Sequence, residues 1–175
     1  YSTGVVKPGD TLPLLSKGYL KDSIVCNETP LRDVAAGGMY STTADLTQLC
    51  RMLLQHDMIS NRQLLQGATL QRMMTDQTGN LLLPTDDEFG YGLFINNLGS
   101  DMDSLIGKNI GHGGDSRVFH SILVVFPVLD IGFVLLTNAA NGGAFTKAIV
   151  LQMAREYIRL VKEIPLQKSV PVAFT

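Results

Sequence analysis

The chain has 175 residues, enough for one domain of ordinary size and too few for two full ones. Its 14 basic and 16 acidic side chains give a net charge of −2, so it lacks the basic excess that nucleic-acid binding requires. A hydrophobic fraction of 45% excludes intrinsic disorder, and two cysteines with 17 unrepeated glycines exclude disulfide scaffolds and collagen. The composition therefore indicates a globular domain that binds no nucleic acid.

Residues 1–35 are rich in turn formers and sustain neither helical nor strand periodicity. We predict that this loop-rich segment covers a cleft or another surface of the protein. No signal peptide is visible, because Tyr1–Gly4 has no basic segment followed by an apolar run. No membrane span is predicted either, because Pro127 and Asp130 interrupt the most apolar stretch, 122–136.

Residues 36–78 have the periodicity of helices. Thr42 is a favourable N-cap, and Asp45 lies in the first turn, where the helix dipole stabilises a carboxylate. Apolar residues at helical spacing extend this helix to about Gln55. A second, weaker helix is predicted over 68–75.

Residues 88–138 change to strand periodicity. The pattern predicts strands over 89–95, 110–119, 121–126 and 131–137, with a turn at 127–130 joining the last two. A final helix is predicted over 144–162. Consecutive strands joined by short turns favour an antiparallel sheet flanked by helices, so the predicted fold class is α+β within a single unit, 1–175.

The motif with the most chemical content is Gly-His-Gly-Gly-Asp-Ser at 111–116. Glycines around His112 expose the backbone, as expected of a strand edge that lines a cleft, and the imidazole could transfer protons there. The alternative is a glycine-rich hairpin with an incidental histidine. Ser116 is disfavoured as a nucleophile, because a nucleophile elbow requires glycine where Val118 stands.

No metal or cofactor site is predicted. His112, His120 and Asp115 match no common zinc spacing, so the histidines are interpreted as ordinary satisfied side chains. Cys26 and Cys50 are either bridged or thiols, and the sequence leaves both states open.

Four segments in a fixed order carry a resemblance to a known family. They are Ala-Ala-Gly-Gly-Met-Tyr-Ser-Thr-Thr-Ala-Asp-Leu at 35–46, Phe-Gly-Tyr-Gly at 89–92, Gly-His-Gly-Gly at 111–114 and Leu-Leu-Thr-Asn at 135–138. Together they resemble the serine β-lactamase-related family, which groups class C β-lactamases, low-molecular-weight penicillin-binding proteins, D-aminopeptidases and related esterases. The resemblance covers about residues 18–160 and implies the C-terminal part of a β-lactamase/transpeptidase-like fold.

The resemblance also implies roles for residues of the glycine-rich motif. Family members carry a Ser-x-x-Lys with the nucleophile, a Tyr-x-Asn, and a Lys-Thr-Gly or His-x-Gly triplet on a strand. The triplet matches His112, Gly113 and Gly114. By this resemblance His112 hydrogen-bonds the substrate or transfers protons, the two glycines line the substrate, and the Asp115 N–H supplies half of an oxyanion hole. Histidine in place of lysine favours the D-aminopeptidase and esterase branch.

The other two motifs are not found in the sequence. No serine has a lysine three residues later, and Tyr1-Ser2-Thr3 departs from Tyr-x-Asn at its third residue. We therefore expect this chain to be the C-terminal portion of a larger domain, without acyl-transfer activity by itself. Its exposed face is expected to bind the missing half or a second copy. The sequence itself leaves the localisation open; family analogy implies a periplasmic or extracellular protein, although cytosolic members also exist.

Three functional hypotheses follow. The first is part of a serine hydrolase that acts on a β-lactam, a D-amino-acid peptide or an ester. The second is a non-catalytic binding module of the same fold that has lost the nucleophile. The third is an unrelated α+β interaction domain, in which the strand carrying 111–115 would line no cleft.

Overall fold

The structure, a computed structural model, describes residues 3–5, 15–21, 24–26, 33–54, 58–59, 62–79, 88–96, 98 and 106–161. Its helices are α1 (Val34–Gly37), α2 (Thr43–Leu53), α3 (Gly67–Met73) and α4 (Gly143–Val161). Its strands are β1 (Gly4–Val5), β2 (Gly18–Tyr19), β3 (Val25–Cys26), β4 (Met39–Tyr40), β5 (Met58–Ile59), β6 (Arg62–Gln63), β7 (Glu88–Phe89), β8 (Phe94–Ile95), β9 (Ile110–Asp115), β10 (His120–Phe126) and β11 (Ile131–Thr137).

The largest sheet has five strands in the order β11-β10-β9-β8-β7, and every neighbouring pair is antiparallel. Strand β10 is its centre, because it pairs with β11 along its whole length and with β9 over six residues. Helices pack against both faces of this sheet. The predicted α+β class, an antiparallel sheet flanked by helices, is confirmed.

Alternation along β10 divides the core between the two faces of the sheet. Ile122, Val124 and Phe126 pack in a buried cluster with α4. Leu123 and Val125 point the other way, into a cluster built with side chains of α2 and α3. We refer to these as the α4 face and the α2 face.

Helix α2 begins where the sequence predicts. The Asp45 N–H donates to the hydroxyl oxygen of Thr42 at 3.2 Å, which confirms the cap. The helix ends at Leu53, and Gln55, the predicted end, lies outside the described residues. The stretch 36–78 also contains the short strands β4, β5 and β6, which the helical pattern did not reveal.

Two of the strand predictions were wrong in extent. The single strand predicted over 89–95 is a tight hairpin, because the chain reverses at Gly92, where φ is +70°, and the Gly90 N–H donates to Leu93 O at 2.8 Å. The strand predicted over 110–119 ends at Asp115, because Ser116 begins a turn that leads into β10.

The loop-rich N-terminal segment contributes short strands to the described part of the chain. Strand β1 pairs with β4, and β2 pairs with β3. The Tyr19 N–H donates to Asn138 O at 2.8 Å, and the Ala140 N–H donates to Tyr19 O at 2.9 Å. This part of the segment therefore lies against the end of β11. Within the described ranges, no helix is long and apolar enough to cross a membrane.

Candidate active site

Strand β9 has two halves with different surroundings. Ile110 and Gly111 pair with β10 on one side and with β8 on the other, and both are buried. Within the described part of the chain, the remaining four residues pair with β10 alone, and they are exposed. Strand β8 covers two residues of β9 and no more, because its chain turns away at Gly92.

The hydrogen-bonding register fixes which backbone groups face outward from β9. The Ser116 N–H donates to Phe119 O at 2.9 Å, so Asp115 and His120 form a non-hydrogen-bonded pair of the antiparallel ladder. Alternation then directs the N–H groups of Asp115 and Gly113 away from β10, towards the outer edge of the sheet. In the part of the chain that the structure describes, no strand pairs with this edge beyond Gly111.

The His112 side chain is exposed beside this edge and lies on the α2 face, since it shares a side of the strand with Ile110. Its ring centroid is 5.4 Å from that of Phe94, with the planes tilted by 56°. Phe94 in turn packs against Phe89 at 4.9 Å. The structure therefore brings together an accessible imidazole, an aromatic pair and two outward N–H groups.

Asp115 turns its side chain to the opposite face. Its carboxylate contacts Nδ1 of His120, which is its cross-strand partner. The side chain of Asp115 is 81% exposed and that of His120 only 10%. The family resemblance pointed to the Asp115 N–H, but the Asp115–His120 pair was not predicted. A continuous strand over 110–119 leaves out the turn that places these two residues opposite each other.

The structure separates the residues considered as metal ligands. His112 lies on the α2 face, whereas Asp115 and His120 meet on the α4 face. Among the described residues, no group of three histidine, cysteine, aspartate or glutamate side chains is placed to hold a metal ion.

Ser116 lies in a turn, and the two cysteines form no disulfide with each other. The Ser116 hydroxyl accepts from the Phe119 N–H at 3.0 Å and lies 3.1 Å from Phe119 O, so it closes the turn after β9. Cys26 and Cys50 are both thiols. Burial raises the pKa of the Cys50 thiol to about 11, which makes it a poor nucleophile at neutral pH.

A cavity of about 300 Å³ lies at the other end of β9. It is bounded by Lys108 and Ile110 at the start of the strand and by the 127–128 turn and the end of α3. None of the outward N–H groups or His112 borders it. The chemical groups therefore mark the candidate site at the open edge, and this cavity is a separate feature.

Comparison with known proteins connects this geometry with a family. The family profile described as Beta-lactamase matches residues 2–155. The chain belongs to the β-lactamase family. A solved structure, the octameric penicillin-binding protein homologue from Pyrococcus abyssi, aligns with a TM-score of 0.64 at 21% identity. The alignment covers 89% of this chain and 34% of that one, so the chain spans about a third of that protein's length. No curated protein matches the chain.

Family membership and the structural alignment confirm the resemblance seen in the sequence. They show a fold of the kind found in β-lactamases and penicillin-binding proteins. The roles of His112 and of the Asp115 N–H remain predictions.

Proposed function

We propose that this chain supplies the substrate-binding strand of a β-lactamase-related serine hydrolase. In this proposal the enzyme forms an acyl-enzyme with a β-lactam, a D-amino-acid peptide or an ester. One observation carries the proposal: the outer edge of β9 has two outward N–H groups, at Gly113 and Asp115, beside the exposed imidazole of His112.

Acyl transfer creates a negative oxygen in its tetrahedral intermediate, and fixed N–H donors stabilise that charge. The Asp115 N–H is suited to this role, because the β9–β10 ladder holds its direction. Removing one such donor typically lowers kcat by roughly 10² to 10³-fold. The Asp115 N–H is therefore proposed as half of the oxyanion hole.

The glycines of the motif leave room for a substrate against the strand. Among the described residues, a Cβ atom added at Gly113 would have one close neighbour, Ser121 O at 3.6 Å. The α4 face at Gly113 is thus uncrowded, and among the described residues no strand pairs with the edge beyond Gly111. The main chain of a substrate would bind at this edge as an additional strand. His112 would donate a hydrogen bond to the substrate or carry a proton, and its ring packs beside Phe94.

The serine nucleophile is proposed to lie outside these 175 residues, because no serine here is followed by lysine at the third position. The alternative, a binding module without a nucleophile, uses the same edge. The two differ in whether acylation occurs when a segment with Ser-x-x-Lys is present.

The partner of this chain is proposed to be the remainder of such a domain, or a second copy. Strand β11 ends the sheet, and no other strand of the described residues pairs along it. Helix α4 also exposes apolar side chains, among them Met153 and Leu160. Light scattering across a hundredfold concentration range should reveal self-association, and a monomer throughout would exclude the second copy.

The proposal is tested with labelling and with binding. A fluorescent penicillin and a chromogenic ester should neither label the chain nor turn over, and stoichiometric acylation would contradict a nucleophile outside it.

Benzylpenicillin titrated into ¹⁵N-labelled chain should shift the amide signals of Gly113 and Asp115. His112→Ala should weaken this binding, whereas Gln152→Ala, on the exposed side of α4, should not. Absence of any shift at the two amides would contradict the proposed site.

A further inference from the structure

We propose that His120 is a positioning residue. By holding the Asp115 carboxylate on the α4 face of the sheet, it keeps that charge away from the outward N–H of the same residue. This inference rests on the proposed function, because it concerns how the oxyanion-binding N–H remains available to a substrate.

The backbone and the side chain of Asp115 have different directions. Its N–H lies in the plane of the sheet and faces the outer edge, by the register with β10. Its side chain leaves the sheet on the α4 face, opposite His112. Only rotation about the side-chain bonds separates the carboxylate from the edge where a substrate oxyanion would bind.

A carboxylate at that edge would oppose the proposed chemistry in two ways. Its negative charge would repel a developing oxyanion or an anionic substrate. Its oxygens would also accept hydrogen bonds from nearby N–H groups, as aspartate side chains commonly do in turns. The Asp115 side chain is 81% exposed, so packing does not restrain it, and among the described residues its hydrogen-bond partner is His120.

His120 is well placed to hold the carboxylate, because its own ring is fixed. The residue is 8% exposed, and Gly143 at the start of α4 lies so close that an added Cβ would be 2.8 Å from Nδ1. The Thr137 hydroxyl donates to the His120 carbonyl oxygen at 3.2 Å, which ties this end of β10 to β11.

The chemistry of the pair assigns the proton on the ring. A carboxylate only accepts hydrogen bonds, so Nδ1 of His120 carries the proton and donates it to Asp115. Nε2 is buried without a hydrogen-bond partner among the described residues. The only described hydrogen bond of this buried ring is therefore the one that restrains Asp115.

The test uses four variants of the full chain and benzylpenicillin as the anionic probe, with affinity read from the amides of residues 113 and 115. His120→Leu should bind the probe about tenfold more weakly, since the carboxylate is released. His120→Asn places a donor near the position of Nδ1 and should stay within about threefold of the wild type. Adding Asp115→Asn to His120→Leu should recover most of the lost affinity, because the released group is then neutral.

The double variant separates positioning from a merely structural role. If the contact only stabilised the hairpin, removing its second partner would restore nothing, and equal weakness of His120→Leu and the double variant would overturn the proposal. Unchanged affinity in His120→Leu would also overturn it.

Asp115→Asn alone keeps the proposal testable if the His120 variants do not fold. Asp115 is exposed, so this substitution should not prevent folding. It should bind the probe about threefold more tightly, since a negative charge near an anion is removed. Weaker binding would overturn the positioning role. Absence of amide shifts in the wild type would instead overturn the proposed function itself and this role with it, so the two failures are distinguishable.

Discussion

The two halves of strand β9 differ in burial and pairing, although they are adjacent in sequence. Ile110 and Gly111 are buried between strands on both sides, whereas 112–115 pairs with a strand on one side only, as far as the structure describes the chain. The change coincides with the end of strand β8. The candidate site therefore exists because β8 ends after pairing with two residues of β9. The backbone donors left exposed belong to a strand rather than to a loop.

Close packing explains why the first half of β9 is closed. A Cβ atom at Gly111 would clash with the carbonyl oxygen of Leu123 on β10, whereas one at Gly113 would make an ordinary contact at 3.6 Å. Glycine therefore serves two purposes at positions 111 and 113. One glycine permits close approach of strands, and the other keeps a surface open.

The largest effect is expected from damage to the core that supports the sheet. Phe126 is fully buried at the end of β10 and packs edge-on against Phe133, with ring centroids 6.0 Å apart. Phe126→Ala should lower the free energy of unfolding by about 3–5 kcal/mol, measured by chemical denaturation. Val128→Ala, at a side chain that is 68% exposed, is the control and should cost less than about 0.5 kcal/mol. Similar losses in the two variants would contradict the assigned core.

The contrast between the two glycines can be tested directly. Gly111→Ala should destabilise the chain by about 1–3 kcal/mol, because backbone atoms of β10 would have to move. Gly113→Ala should change stability by less than about 0.5 kcal/mol, and it should weaken benzylpenicillin binding because the added methyl group stands on the α4 face beside the open edge. Equal destabilisation would show that the second half of the strand is as enclosed as the first.

Removal of the imidazole should separate binding from stability. His112→Ala is expected to change the free energy of unfolding by less than about 0.5 kcal/mol, because the side chain is exposed. Probe binding at the Gly113 amide should nevertheless weaken. A large loss of stability would indicate that His112 is a structural residue of the sheet.

The smallest effect concerns the turn that positions strand β7. Hydrogen bonds from the Thr78 hydroxyl and N–H, and from the Gly79 N–H, lower the pKa of Asp76. In the same turn, the Gln77 N–H donates to Phe89 O at 2.7 Å. The folded state therefore binds the Asp76 proton less tightly than the unfolded state, in which an aspartate has a pKa of about 3.9.

It follows that Asp76 stabilises the chain above that unfolded pKa, and that this stabilisation is lost as pH falls through the lower folded pKa. Asp76→Asn should flatten the acid limb of a plot of melting temperature against pH. An acid limb as steep as in the wild type would contradict a role for this carboxylate in the turn.

Much of the fold was predictable because local signals agreed with tertiary packing. The Thr42 cap and the strands at 121–126 and 131–137 all appear in the structure where the sequence predicts them. The hairpin at 88–95 was not predictable from periodicity, because its aromatic and aliphatic residues read as one strand. The chain reverses at Gly92, which has a positive φ that glycine adopts readily.

The sequence names residues of the candidate site but does not predict their arrangement. The resemblance singled out His112 and Asp115, yet the pairing with His120 depends on the length of the turn after β9. Hydrogen bonds of Ser116 with Phe119 set that length, and a hydroxyl three residues before its partner is a weak signal. Knowledge of this turn would have revealed the pair.

Native-state amide hydrogen exchange along β9 tests the open edge most directly. The N–H groups of Ile110, Gly111, His112 and Gly114 are paired with neighbouring strands and should exchange slowly, whereas those of Gly113 and Asp115 should exchange rapidly. Addition of benzylpenicillin should slow the two rapid amides selectively. Protection of Gly113 and Asp115 as strong as that of His112 and Gly114 in the ligand-free chain would contradict an open edge, and with it the proposed site.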